Sequence, residues 1–252
     1  MIKLKNKEQL EIMKIAGRIT GEALYLAGEA VKEGISTLDL DKIVRSHIER
    51  QGARPSFLGY GGFPASACVS VNEQVIHGIP SDKIILKEGD IVKIDVGACY
   101  KGFHGDAART FAVGKISDEA AKLIEVTKEG FYKGAAQAIA GNRIGDIGAA
   151  VEALASKNGF SVVRQYVGHG IGHDLHEEPE VPNYGNAGRG ARIYPGMVLA
   201  IEPMINVGTF NVRVLSDKWT VVTADGRLSA HYENTVAVTE NGPLLLTDIE
   251  TV

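Results

Sequence analysis

The sequence carries only two cysteines and one tryptophan in 252 residues. It has no apolar run near the roughly 20 residues that a membrane-spanning helix needs. Two cysteines, Cys68 and Cys99, are too few for a disulfide framework and fit a reducing compartment. Positive charge is not in excess either: 27 Lys and Arg face 31 Asp and Glu, and no basic arm stands out. That balance argues against nucleic acid as a partner. The opening stretch "MIKLKNKEQLEIMKIAGRIT" mixes charges with apolar residues, so it lacks the uninterrupted apolar core of a secretory signal. These absences lead us to expect a soluble cytoplasmic protein, long enough for one large domain or two small ones.

Glycine is what the chain has in plenty, with 30, which implies tight turns and close backbone approaches. An apolar stripe through Leu10, Met13, Ala16 and Ile19 predicts a helix over 7–33. "STLDLDKIVRSHIERQG" predicts a second, with Ser36 and Asp39 spaced as a capping box and Gly52 able to end it. Strand-like runs with glycine turns follow. Helices are then expected over 118–140 and 146–158, the latter stopped by Gly159, before the strand pattern returns and continues to the end. The order is two helices then strands, twice over. The letters repeat as well. "GDIVKID" (89–95) aligns with "GMVLAIE" (196–202), each an apolar strand that delivers a carboxylate at its end. Asp106 precedes "TFAV" as Glu233 precedes "TVAV", and "VIHG" (75–78) echoes "VGHG" (167–170). We read an internal duplication: one domain, 1–252, with pseudo-twofold symmetry and its site where the carboxylate-bearing strands meet.

The stretch "VGHGIGHDLHEEP" (167–179) crowds three histidines onto a glycine-rich backbone. His169 and His173 have the i, i+4 spacing of a zinc-protease helix. Gly168, Gly170 and Gly172 rule that helix out, since each interior Gly costs roughly 1 kcal/mol relative to Ala. An extended segment approached closely by other backbone fits better. Four carboxylates complete the pattern: Asp95, Asp106, Glu202 and Glu233, all on predicted apolar strands. One acid on such a strand ordinarily sits at a solvent edge. Four, duplicated in pairs, would protonate or destabilise the fold if buried without compensation. Two divalent cations match their charge, and with one histidine the set favours Mn, Fe, Co or Zn. Two such ions about 3.5–4 Å apart can hold a water and lower its pKa toward neutrality.

"GDIVKIDVGACYKGFHGDAARTFAVG", "GHGIGHDLHEEP", "VLAIEPM" and "HYENTVAVT" resemble the successive motifs of type I methionine aminopeptidases over essentially the whole chain. The resemblance implies an α+β "pita-bread" fold, duplicated about a pseudo-twofold axis, with an antiparallel sheet covered by two helix pairs. It implies that Asp95 binds one metal through both oxygens and that Asp106 and Glu233 bridge. His169 and Glu202 would complete the second metal's site, and Glu202 would also shuttle protons. His77 is expected to hydrogen-bond the substrate near the scissile amide, and His176 to contact its carbonyl oxygen. His173 has no such match and is expected to be structural or solvent-facing. Tyr60, Phe63, Cys68, Leu175 and Trp219 match the pocket for the methionine side chain. Phe63 stands where a Tyr is frequent in relatives, and Phe57 where a smaller residue often sits, so both bear on pocket shape. The implied substrates are nascent polypeptide N-termini with a small second residue. Ribosome contact is implied only by that role, and a monomer by the family's habit. Prolidase and aminopeptidase P share the five ligands but usually carry a large extra N-terminal domain. Type II enzymes place a helical insert between the last two glutamates, and residues 203–232 leave no room for one. A bacterial-style type I enzyme without extension is the reading that remains. An Xaa-Pro aminopeptidase or dipeptidase, a hydrolase of non-peptide substrates, and a non-catalytic peptide-binding module are the alternatives.

Overall fold

The computed structural model describes residues 1–248, so the last four residues of the expected domain and strand pattern lie outside the described residues. Helix α1, Lys7–Glu29, opens on a capping box in which Asn6 and Gln9 satisfy each other's backbone N–H. Met13, Ala16 and Ile19 on its stripe are buried. The helix ends before the expected residue 33 because the chain there pairs with a distant segment: Gly34 N–H donates to Leu86 O, and Leu86 N–H to Ile35 O. Helix α2, Thr37–Arg50, is capped by the Ser36 hydroxyl, which accepts from Asp39 N–H and donates to the Asp39 carboxylate. Helix α3, Asp118–Ala135, stops short of the expected residue 140 as tight turns take over, with Gln137 N–H on Gly134 O and Ala138 N–H on Ala135 O. Helix α4, Ile144–Lys157, starts earlier than expected because Asp146 accepts from Arg143 N–H at 2.7 Å and fixes the first turn.

Nine strands form the main sheet: β1 Arg54–Pro55, β2 Ala67–Val71, β3 Ile91–Tyr100, β4 Phe103–Ala112, β5 Gly168–Gly170, β6 Glu177–Val181, β7 Val198–Ile201, β8 Glu233–Thr239 and β9 Gly242–Leu245. Their order is β1-β3-β4-β8-β7-β5-β6, with β2 also on β3 and β9 also on β8, and every pairing is antiparallel. The pair β3–β4 corresponds to the pair β7–β8, and the halves join where Glu233 faces Ala108. Two of the three sequence echoes are thus repeat-related. The third is not: Gln74–Ile76, which leads into His77, belongs to a separate small sheet with Val221–Thr223. The place beside β3 that β5 takes beside β7 belongs to β2.

Each half has its helix pair. Leu24 of α1 and Leu40, Val44 and Ile48 of α2 share a core with Val92, Ile94 and Val96 of β3. Phe131 of α3 and Ile147 of α4 share one with Leu199 and Ile201 of β7 and Val236 and Val238 of β8. The fold is α+β, and the helices take alternate residues of the sheet.

Candidate active site

The residues left between those alternate positions face the other way. Between Ile94 and Val96 comes Asp95; before Ala107, Asp106; just after Ile201, Glu202; and Glu233 is in phase with Thr235 and Ala237, opposite Val236 and Val238. His169 of β5 lies opposite Ala200 of β7. Five neighbouring strands therefore deliver four carboxylates and an imidazole to one place. His169 Nε2 stands 3.4 Å from Glu202 Oε1 and 3.9 Å from Asp106 Oδ2. Ligand atoms of Asp106, His169 and Glu233 all lie within 4.8 Å of one another.

Burial governs the charges here. It raises the Asp95 carboxyl to about 7, and lifts Asp106, Glu202 and Glu233 well above the usual range with help from the neighbouring carboxylates. Among the described residues, Asp95 Oδ1, Asp106 Oδ1 and Glu233 Oε1 are buried without a hydrogen-bond partner. Buried anionic oxygens left this way need cations. His169 is prepared as a ligand. Burial, with His176 beside it, lowers its pKa to about 3, so the ring is neutral. Nδ1–H donates to Gly170 O at 2.9 Å, leaving the Nε2 lone pair toward the carboxylates. The donor set fits divalent metal ions.

The glycines around His169 have a steric cause. A Cβ on Gly168 would press on Ala200 O, and one on Gly170 on Glu178 O, the carbonyls of the flanking segments. The segment then turns. His173 leaves the site, with its side chain 73% exposed, while His176 returns to pack against His169 with ring centroids 4.2 Å apart and the planes tilted by 52°. His176 Nδ1 meets the Tyr60 hydroxyl at 2.8 Å. His77 sits in the left-handed region at φ 59°, a conformation that non-glycine residues adopt at a cost and that clusters at functional sites. It meets the Tyr166 ring edge-on at 5.8 Å, and burial lowers its pKa to about 4.

A cavity of about 160 Å³ joins these groups. Tyr60, Phe63, Cys68, Leu175 and Trp219 line it together with His77, His176 and the five candidate ligands, so every residue expected at the site borders one space. Phe57 lines it too, and Phe63 meets Trp219 edge-on at 5.1 Å. Two buried groups were missed. His231, 1% exposed, has Nε2 3.8 Å from Glu202 Oε2 and 3.8 Å from Glu233 Oε2. Its position two residues before Glu233 on a strand was the available signal. Lys93, also 1% exposed, lies two before Asp95 and donates to Asn72 O at 2.6 Å; burial lowers its pKa to about 7. Nothing in its residue type predicts burial.

The chain belongs to metallopeptidase family M24, whose model matches residues 11–240. Within that family it falls with the methionine aminopeptidases. The methionine aminopeptidase of Clostridium acetobutylicum is 57% identical over 247 residues, covering 98% of this chain and 99% of its own. The crystal structure of the Thermotoga maritima methionine aminopeptidase matches with a TM-score of 0.97 at 42% identity, covering 98% of this chain and 100% of that one. A prolidase from Pyrococcus furiosus matches at 0.78 and 25% identity, over 97% of this chain but 65% of its own. The fold is the duplicated pita-bread fold.

Proposed function

We propose that the protein removes the N-terminal methionine from polypeptides, preferring a small second residue. The observation that carries this reading is the convergence of four buried carboxylates and a neutral imidazole on the wall of an apolar cavity. Asp95, Asp106 and Glu233 would hold one divalent ion, and His169 and Glu202 a second that shares Asp106 and Glu233. Mn, Fe, Co and Zn all suit this oxygen-rich set. Bound there, the ions supply Lewis acidity and a water acidic enough to attack at neutral pH.

The chain's own groups do the rest. Phe57, Tyr60, Phe63, Cys68, Leu175 and Trp219 take the methionine side chain, whose flexible thioether suits aromatic and sulfur contacts. Glu202 takes the proton of the attacking water and returns it to the leaving amine nitrogen. His176 donates to the carbonyl oxygen as charge builds there. The Tyr60 hydroxyl on Nδ1 leaves Nε2 to carry that proton. His77 holds the amide beside the scissile bond. In this reading residues 1–252 act as one catalytic domain and as a monomer, on nascent chains leaving the ribosome in the cytoplasm.

Release of free amino acid from Met-Ala-Ser and from Ala-Pro-Ala separates the candidates. Methionine release alone is expected. Cleavage of the proline peptide alone would move the protein to the Xaa-Pro branch, and no cleavage of either by metal-loaded protein would leave a binding module.

A further inference from the structure

Glu202 sits between two imidazoles. Its Oε1 faces His169 Nε2 at 3.4 Å, and its Oε2 faces His231 Nε2 at 3.8 Å. His231 is buried, and neither of its ring nitrogens has a hydrogen-bond partner among the described residues. Its backbone is pinned on both sides: Thr110 Oγ1 donates to His231 O and accepts from His231 N–H, each at 2.9 Å. The side chain is thus aimed at the carboxylates by a fixed strand, with Glu233 Oε2 also at 3.8 Å. A ring N–H left unsatisfied in such a place is costly, and a ligating carboxylate commonly accepts an outer hydrogen bond on the oxygen that does not bind the metal.

We propose that His231 is a positioning residue of the metal centre, whose Nε2–H holds Glu202 Oε2 so that Oε1 stays turned toward the ion that His169 shares. The contact closes from 3.8 Å to a normal hydrogen bond with a carboxylate shift of about 1 Å. Glu233 Oε2 lies equally near, so the same ring nitrogen faces both glutamates. His231 is a holder here and not a sixth ligand, since the carboxylates already balance two divalent ions and Glu202 still has an oxygen to be oriented. The inference rests on the reading of Glu202 as a metal ligand.

The test is a titration of chelator-stripped full-length protein with Mn(II), read as heat or by competition with a chelator of known affinity. His231→Leu removes the donor and is expected to weaken Mn(II) binding about 10–100-fold. His231→Gln keeps an N–H donor and is expected to bind within about threefold of the parent. The thermal melt of each stripped variant reports whether it is folded, and the Gln variant carries the test should the Leu variant unfold. Parent-like affinity in His231→Leu overturns the proposal by making the ring a bystander. Equal large losses in folded Leu and Gln variants overturn it by making the ring a ligand. Glu202→Gln in the same titration separates the two claims. No loss there defeats the metal-centre reading itself, whereas a loss there beside parent-like His231→Leu defeats only the role of His231.

Discussion

The His176 and His169 rings pack against each other, yet their nitrogens are committed to different tasks. His169 spends Nδ1–H on Gly170 O and offers a lone pair, while His176 meets the Tyr60 hydroxyl through Nδ1. Removing an oxyanion donor typically costs about 10²–10³ in turnover. His176→Ala should therefore lower kcat by about that factor while metal content, read by atomic absorption, stays near the parent's. Loss of metal together with turnover would make it a ligand instead. Tyr60→Phe keeps the ring that lines the cavity and deletes only the hydroxyl, so kcat should fall about tenfold with KM nearly unchanged. A raised KM at constant kcat would assign Tyr60 to the pocket alone.

At the scale of elements, β5 has the narrowest tolerance. Its glycines let the chain pass between the carbonyls of β7 and of the segment at β6, and His169 inherits its position from that squeeze. Gly168→Ala should lower stability by about 1–3 kcal/mol in urea unfolding, through overpacking against Ala200 O, and should weaken metal binding with it. Unchanged stability would mean that the neighbouring strand yields. Elements were legible in the sequence where their signals are local. Ser36 caps α2 as its hydroxyl and spacing predict, and the strands that carry the paired carboxylates meet as the internal repeat predicts. The ends of α1 and α3 were not legible, because Leu86 and the turns after Ala135 set them through backbone contacts that no side-chain pattern records. His77 arrives from the small sheet with Val221–Thr223, a pairing between distant segments, so its echo of "VGHG" misled about the repeat although its place at the site did not.

Across the whole molecule, the buried charges predict how stability responds to pH without metal. The folded state keeps protons on carboxylates that the unfolded chain releases near 3.8 to 4.5, so these groups lose stability as pH rises. Asp95 completes that loss at about 7, and the other three act in the same direction. The buried histidines act oppositely. His77 and His104 are pushed to about 4 and His169 and His231 to about 3, so the unfolded chain takes up protons below 6.5 and stability drops as pH falls. Lys93, lowered to about 7, adds stability as pH rises above that value. The melting temperature of stripped protein should therefore fall as pH rises from 6.5 to 7, and its rise on adding Mn(II) should grow over the same interval. A melting temperature that climbs through that window would contradict the clustered, uncompensated carboxylates. The four acids were readable because Asp95 and Glu202 follow apolar runs and Asp106 and Glu233 precede them, in two repeated pairs. Lys93 was not, since a polar residue on an apolar strand gives no sign of whether a partner waits for it, and His231 offered only its spacing two residues before Glu233.

The most direct test of the metal-centred account is methionine release from Met-Ala-Ser by stripped protein, followed as Mn(II) is added in steps. The account predicts no release at the start and a rise that saturates as the site fills, reversed by chelator. Full release in the presence of chelator would contradict it.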